Sequence, residues 1–394
     1  MEIAAYNLEK ISQALIQLES KYGNKNKAEK VNIGDYKQLL LFKNILEDIL
    51  DPFNALEKFS GSKNNAFFHG WVERGKEKRV KNAVKAVTDK KGIVIEYEPQ
   101  HNEEPPTLLN NPQPIKPFEI FVENYGVPSY WEIDPTPIVA LTFIIFFGLM
   151  FADAGYGLTL SILSLFVYFL TTKESRLRKQ INLVAIYLGF SSAFFGFLFG
   201  EFFGFAFRKG IIDPLKDIVI FLEVSIIIGL IHLSIGIISK TIIEKNKKKI
   251  LQNIVLISIL WSSFLLYYQS GMLPYQIIFP LLLVSFLFLK KLEALKDLLL
   301  VFTAVISYAR IAILGVVHII ISRLLISLYP GLSNNVFENI AFAVLFIAGI
   351  IIVLLVGVFL AGLQTLRLHW VEFFPHSYIG KGYKFEPFEH KNRM

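Results

Sequence analysis

The run Leu298-Leu299-Leu300-Val301-Phe302-Thr303-Ala304-Val305-Ile306-Ser307-Tyr308-Ala309-Arg310-Ile311-Ala312-Ile313-Leu314-Gly315-Val316-Val317-His318 decides how this chain is read. It continues apolar to Leu328, long enough for a helix that crosses the roughly 30 Å hydrocarbon core of a bilayer. Thirteen residues into it, counting from Asp297, stands Arg310. A guanidinium keeps its charge at any physiological pH, and at bilayer depth it costs on the order of several kcal/mol. A chain keeps such a charge for a partner or for a task.

Working outward, the chain of 394 residues is 53% hydrophobic with 36 Phe and no Cys. The apolar excess marks a membrane protein, and the missing thiols exclude a disulfide scaffold and Cys-based metal chemistry. Eight apolar runs follow Pro137: 137–152, 156–172, 181–206, 218–240, 250–270, 275–289, 297–328 and 336–370. The fold class is therefore mainly α, a polytopic membrane protein of about eight transmembrane helices. The last two runs would measure ~48 and ~52 Å as single helices, so they are expected to tilt, kink or project into water.

Loop charge sets the orientation. The loop 173–180 carries net +3, 240–250 net +4 and 290–297 net +1, whereas 271–274 and 329–335 carry no charge. Every strongly basic loop falls on the side of both termini, which the positive-inside rule makes cytoplasmic.

Ahead of the first run, helical spacing of apolar residues predicts helices over Met1–Tyr22 and Val31–Phe59, a hairpin or coiled-coil-like stalk within 1–65. A small α/β lobe is expected over 66–102: a strand from Ala66 to Val72, a basic helix from Glu77 to Thr88 and a strand from Gly92 to Glu98. Eight prolines between Glu103 and Pro137 mark a linker over 103–136. The transmembrane domain then runs 137–374, with a cytoplasmic tail over 375–394. Nothing in the soluble part has the pattern of a catalytic, metal or nucleotide site, so no cofactor is expected. The basic run Lys76–Lys91 lacks interleaved aromatics and reads as a solvated face rather than a nucleic-acid surface.

Within the membrane, Thr303, Arg310 and Val317 share a helix face, with His318 about 80° away and ~12 Å further out. Arg310 could be glue between helices of its own bundle, or a functional charge; a membrane setting favours function. Arg323 and Arg367 both lie near helix ends, where snorkelling to the interface is the simpler reading. Glu201, Glu223 and His232 are further intramembrane ionisable groups, and His232 reads as a structural contact.

Several of these words resemble a known family. Phe147-Gly148-Leu149-Met150-Phe151-Ala152-Asp153-Ala154-Gly155-Tyr156-Gly157 is similar to the first membrane hairpin of the large stator subunit of rotary V/A-type ATPases. That subunit is called subunit a in vacuolar-type and subunit I in archaeal enzymes. Ser307–Arg310 with His318, and Leu366-Arg367-Leu368-His369-Trp370-Val371-Glu372-Phe373-Phe374, resemble its last two helices in order and spacing. Gly200-Glu201-Phe202-Phe203-Gly204, Gly70-Trp71-Val72 and Ile133-Asp134-Pro135-Thr136-Pro137 fit as well. Members usually carry a long cytoplasmic half, where this chain places 136 residues before its first apolar run. That fits a shortened version, a fragment or one half of a split subunit. A carboxylate that vacuolar members often carry on the last helix is Gly357 here.

The resemblance implies a non-catalytic, ion-translocating subunit of an A/V-type ATPase or ATP synthase, moving H⁺ or Na⁺. Arg310 is then expected to face a rotor ring of proteolipid subunits, with Arg367 in support. His318 and Glu201 would line an outer path and Glu293 and Asp297 an inner one, with His369 and Glu372 in the same translocation set. Peripheral-stalk subunits and the rotor cap would bind the cytoplasmic part, and the setting would be an archaeal or bacterial plasma membrane. Two other classes stay open: a secondary transporter whose arginine binds an anionic substrate, and a transport-inactive membrane anchor. Secondary transporters usually show inverted repeats and broken helices, and no internal repeat is visible here.

Overall fold

The computed structural model describes residues 60–62, 65–100, 103–171, 176–268, 273–328 and 336–387. The helices expected over Met1–Tyr22 and Val31–Phe59 lie outside them. The chain divides into two compact units, 1–98 with 385–394, and 99–384.

In the first unit, β1 (Ser60–Ser62) and β2 (Asn65–Phe67) pair antiparallel as a small hairpin. The basic helix is present as α1 (Glu77–Val87). Where a strand was expected from Gly92 to Glu98 there is none, and Ile93 and Ile95 are exposed. Alternation alone does not make a strand; it needs a neighbour to take its backbone hydrogen bonds, and no described residue supplies one.

The second unit is mostly helical. After α2 (Glu119–Tyr125), the Asp134 carboxylate accepts from the Thr136 N–H at 2.9 Å, and α3 (Thr136–Met150) starts there with Pro137 in its first turn. A hairpin follows: α4 (Ala154–Leu170) capped by Asp153, then α5 (Arg176–Phe199) packed against both. Small polar side chains join these helices closely. Ser191 Oγ donates to the Ile144 carbonyl at 2.7 Å and Ser161 Oγ to that of Ile186 at 3.1 Å. A two-residue hairpin, β3 (Glu201–Phe202) with β4 (Phe205–Ala206), closes the end of α5.

The remaining helices are α6 (Ile218–Ile243), α7 (Lys247–Tyr268), α8 (Leu273–Lys290), α9 (Leu292–Ser307), α10 (Ala309–Ser327) and α11 (Val336–Arg367). In the loop after α6, the Glu244 carboxylate is held below its usual pKa by the Asn246 N–H and then by Lys249. Five helical stretches are long and apolar enough to cross a membrane: Leu177–Phe199, Ile218–Ile243, Lys247–Tyr268, Glu293–Ser327 and Val336–Ser377. Three shorter apolar helices, Thr136–Met150, Ala154–Leu170 and Gln276–Lys290, accompany them. A phenylalanine-rich core, including Phe143, Phe146, Phe147, Phe151, Phe199, Phe221 and Phe286, holds these helices together.

The last long run does not end where its α-helical ladder ends. Leu368–Phe373 form a π turn, and α12 (Phe374–Ser377) follows. The chain then returns across the linker. Gly382 N–H donates to the Val127 carbonyl, Thr107 pairs with Lys384, and the Lys384 ammonium meets Glu123 at 2.6 Å.

Candidate functional site

Tyr308 separates α9 from α10. Its N–H bonds to the Val305 carbonyl, and the Ile311 N–H bonds to Tyr308 itself, both in three-residue steps. The ring explains the place of the break. Tyr308 is fully buried against Gly229 on α6, where a Cβ would lie 2.4 Å from the Tyr308 Cγ. Its hydroxyl meets His232 Nδ1 at 2.9 Å.

The break has a chemical consequence two residues later. A continuous α-helix would use the Ser307 carbonyl for the Ile311 N–H. Released from that, it accepts from Arg310 Nε at 2.9 Å. The guanidinium also reaches Gln364 Oε1 from Nη1 at 3.4 Å and Glu372 Oε1 from Nη2 at 3.0 Å. Arg310 is thus ion-paired within its own chain, as the interhelical reading allowed. The pair is not sealed, because the Arg310 side chain remains 21% exposed. A guanidinium carries five N–H donors, so two stay unengaged among the described residues.

Gln364, Arg367 and Glu372 span the end of α11 and the π turn. Arg367 is exposed and forms no hydrogen bond or ion pair among the described residues. The most apolar stretch of Val336–Ser377 is 11% buried, against 50% for that of Glu293–Ser327. Along the end of α11 and into the π turn, Leu360, Leu363, Arg367 and Val371 form an exposed face, and Ile306 and Ile313 are exposed on either side of Arg310.

Behind the arginines lies a buried polar layer. His369 Nδ1 meets the Thr365 carbonyl at 2.8 Å and Nε2 meets Thr142 Oγ1 at 2.8 Å. His232 stacks on Phe373 with ring centroids 4.1 Å apart, and its ring lies 5.1 Å from that of His369. His232 thus ties α6 to both the break and the π turn, a structural role.

His318 sits elsewhere, buried with its ring 4.3 Å from that of Phe151 and its Nε2 without a hydrogen-bond partner among the described residues. It lines a cavity of about 120 Å³ between α10 and α11 with Val317, Val353 and Gly357. A Cβ at Gly357 would meet Phe151 at 2.4 Å and His318 Nδ1 at 3.3 Å, so the neighbours fill the place of a side chain there.

Glu201 is buried and ion-paired to Arg323, with its Oε2 unpartnered among the described residues. Arg323 therefore turns inward to a carboxylate where snorkelling was expected. An inward partner removes the charging cost that snorkelling would otherwise relieve. Nearby, Asp153 accepts from the backbone N–H groups of Gly155, Tyr156, Phe203 and Gly204 at 2.8–3.1 Å. Phe203 and Gly204 both have positive φ, 49° and 79°, which aims successive amides at one anion. At the opposite end of the chain of helices, Asp297 pairs with Lys290 and Glu293 is exposed. The structure brings Arg310, Gln364, Glu372 and, behind them, His369 together; His318, Glu201, Glu293 and Asp297 lie apart from that cluster. Gln364 and Thr142 escaped sequence reasoning, their one signal being a polar residue in an apolar run. Among the described residues no group of three or more His, Asp or Glu is placed to hold a metal ion.

Comparison with known proteins adds a family model, described as the V-type ATPase 116kDa subunit family, that matches residues 5–209 and 307–390. The A-type ATP synthase subunit I of Pyrococcus horikoshii is 30% identical, the similarity covering 94% of this chain and 60% of that protein. The subunit I proteins of Archaeoglobus fulgidus and Thermococcus kodakarensis are each 28% identical, covering 78% and 91% of this chain. The chain spans 56% and 59% of those two relatives.

Proposed function

The chain belongs to the V-type ATPase 116kDa subunit family, and on that premise we propose that it is the membrane stator of a rotary A/V-type ATPase or ATP synthase. It performs no chemical catalysis of its own; it carries H⁺ or Na⁺ between two aqueous half-channels and a rotor ring of proteolipid subunits. The observation that carries this reading is the placement of Arg310, a permanent cation with two N–H groups unengaged among the described residues, beside the exposed face of α11 that carries Leu360, Leu363 and Arg367. A face with two arginines and little protein cover calls for acidic groups from a neighbour, because lipid tails offer no acceptors.

The physics of the step follows from the charge. A fixed cation in low dielectric favours the ionised form of an approaching carboxylate and so drives off its proton or Na⁺. The same cation repels free ions, so nothing passes directly between the half-channels. An ion binds a rotor carboxylate, rides the ring and leaves on the other side. Each elementary charge crossing 100 mV is worth ~2.3 kcal/mol, so several ions are geared to one ATP.

In this reading all eight apolar helices cross the membrane, with the basic loops and both termini cytoplasmic. His318 with its adjoining cavity, and Glu201, serve the outer path; Glu293 and Asp297 serve the inner one. His369 and Glu372 support the arginines. The region before residue 137 mounts the membrane part against torque and binds peripheral-stalk subunits and the rotor cap, in an archaeal or bacterial plasma membrane.

The test is reconstitution with the ring and the ATPase head in vesicles. Arg310→Lys is expected to abolish coupled ion transport while the complex still assembles, since an ammonium is a point charge that loses its proton on burial. Normal pumping by assembled Arg310→Lys complexes would overturn the assignment.

A further inference from the structure

The Arg310–Glu372 pair carries more than the stator reading asks of it. Glu372 is 10% exposed and sits 3.0 Å from Nη2, so it already supplies Arg310 with a counter-charge. If that pairing were permanent, the guanidinium would have little left to offer a carboxylate outside the chain. Two features argue that it is not permanent. Part of the guanidinium is open on the uncovered side, with two N–H groups unengaged among the described residues. And Glu372 is borne by the π turn Leu368–Phe373.

A π turn inserts one residue into the helical ladder, which rotates everything beyond it by about 100° relative to an α turn. Such turns interrupt the regular i→i+4 ladder and occur frequently at functional sites. In the present register the turn swings Glu372 onto Arg310, while Arg367, just before it, stays on the exposed face.

We propose that Glu372 is a positioning residue that holds and neutralises Arg310 when no rotor carboxylate is present, and yields Arg310 to the rotor carboxylate when the ring docks. The proposal rests on the stator reading above and deepens it. Its physical basis is competition between two carboxylates for one guanidinium. An unpaired arginine facing lipid is costly, and Glu372 removes that cost in the free subunit. The docking carboxylate takes over the same Nη2 edge, so Glu372 opposes docking by the strength of its own hold.

The experiment measures binding of the purified, detergent-solubilised proteolipid ring to the full-length immobilised chain. Two ring preparations are used, one native and one with its carboxylates blocked by a carbodiimide. Glu372→Gln is expected to capture the native ring about tenfold more tightly than the wild type, and this gain should vanish in an Arg310→Gln background. A role for Glu372 in folding alone would weaken binding or leave it unchanged. If the wild type distinguishes native from blocked ring but Glu372→Gln binds no tighter, the positioning role fails and the stator reading stands. If the wild type binds both rings alike, the stator reading itself fails. Should Glu372→Gln not fold, imaging the wild-type complex with its ring decides. Separation of Glu372 from Arg310 supports the proposal, and a retained 3.0 Å contact overturns it.

Discussion

Asp153, at the turn between α3 and α4, and Arg310, beside the break between α9 and α10, are both charges set among apolar helices. Asp153 is 1% exposed and takes four backbone N–H groups, two from its own helix and two from the turn at Phe203 and Gly204. Arg310 takes one backbone carbonyl and two side chains, and stays partly open. Backbone donors cannot leave without unravelling the turn, so Asp153 is a fastener. Side-chain partners can exchange, so Arg310 is available for work. An intramembrane charge is therefore better judged by whether its partners can move than by its depth.

That contrast predicts opposite failures. The largest effect is expected at Arg310. Arg310→Ala should lower ATP-driven ion uptake by vesicles on the order of 10²-fold or more, as for loss of a preorganised electrostatic group. Glu372 then loses its counter-charge, so the defect is scored per assembled complex, as uptake normalised to the subunit incorporated into the vesicles. Asp153→Ala should do the reverse. Four N–H groups, three of them in buried hydrogen bonds, lose their acceptor, which costs about 3–5 kcal/mol. Purified protein should then melt at lower temperature and yield fall, while transport per assembled complex is kept. Equal transport defects in the two variants would dissolve the distinction.

Arg323→Ala is the next test, because Glu201 mixes both behaviours: one oxygen is ion-paired and the other has no partner among the described residues. Leaving that carboxylate buried alone should cost about 3 kcal/mol of thermal stability. Tyr308→Phe removes only the hydroxyl contact to His232 and should cost about 1 kcal/mol, with transport reduced less than by any change at Arg310. Glu293→Gln, at an exposed position, should shift stability by no more than about 0.5 kcal/mol. A melting temperature well outside that range would give Glu293 a partner that the free chain does not show.

The membrane class, the apolar helices and the presence of a costly charge at Arg310 were all legible in the order of residues. The reasons are local. A long apolar run must satisfy its backbone as a helix, and an arginine inside one is costly wherever the helix goes. The basic helix of the first unit was legible for the same reason, its pattern being carried within a few turns. The strand expected at Gly92–Glu98 was not so determined, because a strand needs a partner that no local pattern names.

What only the tertiary structure decided is who meets whom. Arg323 turned to Glu201, 122 residues away, rather than to the interface, and Arg310 found Glu372, 62 residues on. The break at Tyr308 depends on Gly229 giving room on another helix, and the π turn that aims Glu372 leaves no mark in hydropathy. Apolar periodicity encodes which surface of a helix is buried; the direction and partner of a charged side chain depend on neighbours brought in from elsewhere in the chain, and these exist only once the helices have packed.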